Sequence, residues 1–94
     1  MVRSYRDKRT QRFSEGERVH HFEGFRRQAE KRLRVLDAAV SLRDLARLAG
    51  NRLEALLGDR RGQYSIRINQ QWRICFEWPQ MPTVLKNVEI VDYH

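Results

Sequence analysis

Apolar positions along this chain change their period once, a little past the middle. Phe22 is followed by Phe25, Ala29, Leu33, Leu36 and Val40, at spacings of 3, 4, 4, 3 and 4. Those positions fall on one face of a helix. Ser14-Glu15-Gly16-Glu17 ahead of them has the S-x-x-E form of a capping box, so a helix is predicted over about 17–39. Glu23–Arg27 and Glu30–Arg34 are expected as i,i+4 pairs on its outer side. Ser41 and Asp44 repeat the cap signature before Leu42, Leu45 and Leu48, a short second helix that Gly50 stops. Upstream, "VRSY" reads as a short first strand and "RDKRTQRF" has no clear period. "RLEAL" is ambiguous between helix and strand, and "GDRRG" is a turn by composition.

Beyond that turn the period drops to two. Tyr64, Ile66 and Ile68 alternate with Ser65, Arg67 and Asn69; Trp72, Ile74, Phe76 and Trp78 alternate with Arg73, Cys75 and Glu77. Two such runs around a short polar loop predict a β-hairpin. The prolines of "PQMPT" bar a central strand there, and "VLKNVEIV" forms a last strand with Val88, Ile90 and Val91 buried. Helices followed by antiparallel strands make the chain α+β, with the helices on one face of the sheet. Ninety-four residues leave room for one domain, 1–94.

The hairpin pattern has a chemical consequence. Both apolar sets face one core only if Ile68 pairs with Trp72, Ile66 with Ile74 and Tyr64 with Phe76. That register requires a three-residue loop, Asn69-Gln70-Gln71. It sets Arg67 directly opposite Arg73 on the face away from the core. Like charges so placed oppose the sheet by roughly 0.2–1 kcal/mol, and a phosphate held between them would explain the arrangement. Two solvated arginines pointing apart are the simpler alternative.

Charge supports the phosphate. Lys and Arg number 19 against 12 acidic residues, a net +7, and only three of the basic residues are lysine. Arginine's planar fork suits bidentate phosphate contacts, which makes nucleic acid the leading class of partner. An arginine-rich composition carried for solubility alone is the competing explanation. No apolar stretch approaches the ~20 residues of a membrane span, and the N-terminal segment lacks the apolar region of a signal peptide. A single cysteine, Cys75, excludes an intrachain disulfide, so a cytoplasmic location is expected. No metal-ligand spacing or Gly-rich phosphate loop appears, and no cofactor is expected. The neighbours His20 and His21 read as surface residues, and Trp72 and Trp78 as core.

The final strand runs into Asp92, Tyr93 and His94. Histidine is the usual acid or base near neutral pH, and a following α-carboxylate would favour its charged form. Tyr93 can stack on a base or donate a proton, and Asp92 can orient a neighbour or accept a hydroxyl proton. RNA cleavage through its own 2′-hydroxyl needs a base, an acid and cations, a set these residues supply with Arg67 and Arg73.

The run "GNRLEALLGDRRGQYSIRINQQWRICFEW", with the closing "VEIVDYH", resembles the HigB-type toxins of bacterial toxin–antitoxin modules, within the RelE/ParE superfamily. The resemblance extends upstream through "KRLRVLDAA" to the helix pair. It implies a RelE-like fold, two N-terminal helices packed on a small antiparallel sheet with a short N-terminal strand. It implies a metal-independent, ribosome-dependent mRNA endonuclease that inhibits translation and growth. A helix-turn-helix antitoxin of the HigA type restrains such a toxin and links it to operator DNA. The matching catalytic positions are Arg67, Arg73, Asp92, Tyr93 and His94, with Arg60 and its neighbour Arg61 as RNA contacts. Many relatives carry lysine where this chain has Leu57, and some carry histidine at Glu54. A missing cation weakens a transition state stabilised by charge, so reduced activity is expected. "RLAGN", where relatives often have two prolines, points to a longer second helix. A ParE-like gyrase inhibitor, or a degenerate toxin acting only through its antitoxin and operator complex, are the alternatives.

Overall fold

The computed structural model describes residues 2–78 and 84–92; the predicted 79–83 loop, Tyr93 and His94 lie outside the described residues. In chain order the elements are β1 (Val2–Tyr5), α1 (Lys8–Ser14), a 3₁₀ segment (His20–Phe25) leading into α2 (Arg26–Ala38), α3 (Leu42–Arg47), β2 (Glu54–Ala55), β3 (Gln63–Arg67), β4 (Trp72–Glu77) and β5 (Val84–Asp92). Short 3₁₀ turns occupy Ala49–Asn51 and Gly58–Arg60. The five-stranded sheet runs β1-β5-β4-β3-β2. All its pairs are antiparallel except β1 with β5: the short N-terminal strand joins the expected antiparallel sheet as a parallel edge. The strand ending in Asp92 is therefore flanked on both sides.

The predicted helical stripe is the core. Phe22, Phe25, Ala29, Leu33 and Leu36 are buried with Ile66, Ile74, Phe76, Val88 and Ile90. Val40 is the exception: α2 ends at Ala38, Ala39 takes the buried position, and Val40 is 74% exposed. Trp72 stacks on Phe25 with centroids 4.9 Å apart, and Trp78 packs against the same core, as the alternation required. His20 and His21 are exposed.

The helical run begins at His20, not at a cap on Ser14. Ser14 ends α1, and its hydroxyl bonds back to the Gln11 carbonyl at 2.8 Å and to the Tyr5 hydroxyl at 2.7 Å. The ion pairs differ from the expected Glu23–Arg27 and Glu30–Arg34. Glu23 meets Arg26 at 3.4 Å and Glu30 meets Arg26 at 3.6 Å, in place of Arg27 and Arg34. The cap at Ser41 formed as predicted, its hydroxyl accepting from Asp44 N at 3.2 Å. However, α3 stops at Arg47 and Leu48 is exposed, so the second helix is not extended.

The unpatterned "RDKRTQRF" is α1, capped by Asp7, whose carboxylate accepts from Thr10 N at 3.1 Å. The first strand is an ordered part of the sheet, and Arg3 grips Asp37 of α2 through two bonds of 2.7 and 2.5 Å. Arg9 lies 5.7 Å from the Phe22 ring centroid. Where β1 leaves β5, fully buried Thr10 takes its place, its hydroxyl accepting from Ile90 N at 3.0 Å.

β5 also carries a bulge. Asn87 has a left-handed backbone (φ 53), and the register shifts around it. Asparagine tolerates that conformation better than most residues. Its N–H bonds to Ser4 Oγ at 3.1 Å and its amide to Glu77. The extra residue brings Leu85 and Val88 to the same core. No helix among the described residues is long and apolar enough to cross a membrane.

Thr10→Val keeps the shape of the side chain but leaves Ile90 N–H buried without an acceptor. We expect a loss of about 1–3 kcal/mol of stability. Urea unfolding should show a lower midpoint with an unchanged slope.

Candidate active site

The hairpin pairs as its alternation demands: Tyr64 opposite Phe76, Ile66 opposite Ile74 and Arg67 opposite Arg73. Ile68 N bonds to Trp72 O at 2.9 Å, closing the Asn69-Gln70-Gln71 loop. Asn69 holds that loop, its Oδ1 accepting from both Gln71 N and Trp72 N at 2.8 Å. The face away from the helices is thereby assigned residue by residue. One row across the sheet reads Arg67, Arg73, Val91, and the next reads Glu54, Ser65, Cys75, Glu89.

The two paired arginines are not equivalent. Arg73 is buried: its Nε donates to Ser65 Oγ at 2.7 Å and its Nη2 to the Arg52 carbonyl at 2.5 Å. That carbonyl is aimed by Arg52's own left-handed backbone, φ 44. Glu54 reaches within 3.9 Å of Arg73 Nη1, although its side chain is 55% exposed. Arg67 turns the other way, and its Nε donates to the Asn69 carbonyl at 3.0 Å. Its Nη groups make no hydrogen bond among the described residues. The like charges are thus separated by opposite partners, and one guanidinium is embedded while the other is presented.

Arg60 belongs to the same face, donating to Gln63 Oε1 at 3.1 Å and pairing with Glu89 at 3.5 Å. Glu89 also takes Arg6 at 3.4 Å. Arg61 and Leu57 are exposed beside it, Leu57 at 81%. Asp92 pairs with Trp72 and so shares the opposite face from Arg67 and Arg73, at the same end of the sheet. There Gln71 Nε2 donates to its carboxylate at 2.8 Å. Sequence reasoning brought out neither this contact nor the Ser65 and Arg52 acceptors of Arg73, because a loop amide and a carbonyl carry no pattern. Among the described residues no group of three His, Cys, Asp or Glu side chains is placed to hold a metal ion.

Residues 3–94 match the family model for the RelE-like toxin of the type II toxin–antitoxin system HigB. Toxin HigB-1 of Vibrio cholerae is 35% identical over 80 residues, 83% of this chain and 84% of that protein. Endoribonuclease HigB of Proteus vulgaris is 36% identical over 63 residues, 67% of this chain and 65% of its own length. A solved YoeB/ParE toxin from Agrobacterium tumefaciens superposes over the full length of both chains with a TM-score of 0.61 at 14% identity, which shows the fold.

Cys75 is fully buried in the middle row. Burial pushes its thiol above the ordinary 9.0; Arg60 pulls the other way, and Glu89 adds to the rise. The folded chain therefore holds that proton more tightly than the unfolded one. Its contribution to stability is complete below the ordinary value and lost as pH rises through the folded one. At about pH 8, iodoacetamide should label the folded protein far more slowly than the urea-unfolded chain. Comparable rates would contradict the burial.

Proposed function

The chain belongs to the HigB-like toxins of type II toxin–antitoxin systems, and from that premise we propose that it is an endoribonuclease that cuts messenger RNA on the ribosome. The observation that carries the reading is Arg67 held opposite Arg73 on the open face, next to the strand that leads into Asp92, Tyr93 and His94. Arg67, whose Nη groups make no hydrogen bond among the described residues, offers them to the scissile phosphate. Arg73, fixed by Ser65 and Arg52, adds a positive charge that needs no reorganisation as the phosphorane forms. His94 takes the 2′-hydroxyl proton and Tyr93 gives one to the departing 5′-oxygen; Asp92, on the other face of the strand from the arginines, serves as the orienting group. The attack forms a bond from the 2′-oxygen to phosphorus as the 5′-oxygen leaves, so the step requires no metal ion. Arg60 and Arg61 extend the cationic track along the RNA backbone. The partners in this reading are the ribosome, mRNA and a helix-turn-helix antitoxin that carries the toxin to operator DNA; the site of action is the cytoplasm.

Attenuation is part of the proposal. Leu57 presents an exposed apolar side chain where many relatives carry a cation, and Glu54 stands beside Arg73. Both lower the positive potential at the phosphate.

His94→Ala and Tyr93→Ala should each lower RNA cleavage by roughly 10²–10⁴-fold. Circular dichroism should show an unchanged fold. Arg67→Ala should also lose activity while folded, whereas Arg73→Ala should cost stability as well, since it strips a buried hydrogen-bond set. Transcript mapping after induction should show codon-phased cuts; DNA damage with intact RNA would overturn the nuclease reading in favour of a gyrase inhibitor. Leu57→Lys should raise the cleavage rate, and an equal or lower rate would remove the attenuation argument.

A further inference from the structure

The loop that sets the hairpin register also reaches the end of β5, through a contact that the nuclease reading does not use. Gln71 Nε2 donates to Asp92 Oδ2 at 2.8 Å, across 21 residues of sequence. The donor is held from behind. Asn69 Oδ1 accepts from Gln71 N and from Trp72 N, both at 2.8 Å, which fixes the backbone that carries the Gln71 side chain. Trp72 is anchored in turn, its ring stacked on Phe25 at 4.9 Å. The acceptor lies at a boundary. β4 begins at Trp72, and Trp72 opposite Asp92 is the terminal pair of the β4–β5 ladder. Tyr93 and His94, the proton-transfer pair of the proposed reaction, follow Asp92 directly in the sequence.

The sheet gains little from this bond. β5 is already aligned by its pairs with β4, from Asp92 back to Lys86, and by Ile90 N donating to Thr10. Gln71 and Asp92 are both exposed, and water competes for an exposed hydrogen bond. What the bond fixes is a direction, that of the Asp92 carboxylate. The same loop also holds the cation meant for the phosphate, since the Asn69 carbonyl accepts from Arg67 Nε at 3.0 Å. Arg67 on the open face and Asp92 on the helix-side face are thus tied to one three-residue connection. In a reaction whose cation, base and acid must meet at one phosphate, such a shared frame keeps their spacing constant.

We infer that Gln71 is a positioning residue for RNA cleavage. Its side-chain amide holds the Asp92 carboxylate, and through it the segment that carries Tyr93 and His94, in register with Arg67. The inference rests on the nuclease reading of those residues and gives Gln71 no contact with the RNA itself.

The test is steady-state cleavage of an mRNA on purified ribosomes by the full-length chain. Gln71→Ala should lower kcat by roughly tenfold or more and leave KM and the preferred codon unchanged. Gln71→Glu keeps the shape but sets a carboxylate against Asp92, and should lose at least as much. Gln70 is exposed and its side chain makes no hydrogen bond among the described residues, so Gln70→Ala should cleave like the natural protein. Thermal melts of all three should match the natural protein. Coupling separates positioning from contact: in an Asp92→Ala background, where the acceptor is gone, Gln71→Ala should cost nothing further. An additive loss in that double variant would overturn the inference, as would an unchanged kcat in Gln71→Ala. A raised KM or an altered codon preference would make Gln71 an RNA contact and overturn it too. Those outcomes leave the nuclease reading standing, whereas absence of cleavage by the natural protein would overturn both.

Discussion

Three residues decide which way the hairpin's side chains point. Asn69-Gln70-Gln71 is an odd-length connection, and Asn69 Oδ1 secures it by accepting two backbone N–H groups at 2.8 Å. With that length, Ile66 meets Ile74 on the helix side and Arg67 meets Arg73 on the open side. A slip of one residue would put isoleucines in water and guanidinium groups in the core. The register then propagates. β5 reads it from β4, placing Ile90 beside Ile74 and Glu89 beside Cys75, and β1 reads it from β5. Thr10 continues that edge after β1 departs.

The register imposes a like-charge pair, and the surrounding chain resolves it by drawing the two guanidinium groups to different partners. Arg73 is drawn to Ser65 and the Arg52 carbonyl, at the expense of a left-handed backbone at Arg52, on the order of 1–2 kcal/mol for a residue with a Cβ. Hydrogen bonds from a charged donor are worth about 1.5–3 kcal/mol, enough to offset it. Among the described residues Arg67 is held at Nε alone, by the loop that sets the register. The same three-residue connection therefore fixes the pairing, restrains one arginine and, through Gln71, reaches the Asp92 carboxylate on the other face.

The parts legible in the sequence are those whose burial is periodic. The α2 stripe and the hairpin each repeat their apolar positions several times, so the elements and even the Arg67–Arg73 pairing could be read. Helix α1 buries only Thr10 and Phe13, too few for a period, and one of the two is polar. The S-x-x-E at Ser14 misled because a serine hydroxyl bonds backward to a carbonyl as readily as forward to an N–H. The sequence showed Arg73 as a residue on a polar face. Its burial depends on a carbonyl whose direction comes from one backbone torsion at Arg52, which leaves no composition signal. The bulge at Asn87 was half visible, since Leu85, Val88 and Ile90 break the alternation of a regular strand.

Arginine content is the inference that the structure divides most usefully. A planar fork suits phosphate, but it equally suits a carboxylate, a hydroxyl or an amide carbonyl within the chain. Arg3 joins β1 to Asp37 of α2, Arg32 joins α2 to Asn51, and Arg73 joins β4 to the turn before β2. Each ties segments distant in sequence, a task that lysine's point charge does less well. Those arginines explain part of the excess with no ligand at all. Among the described residues Arg67 has no hydrogen bond at its Nη groups, and exposed Arg34, Arg43 and Arg47 make no ion pair. A net +7 is thus the sum of arginines that tie the fold together and arginines left exposed, and only the partners of each guanidinium nitrogen tell them apart.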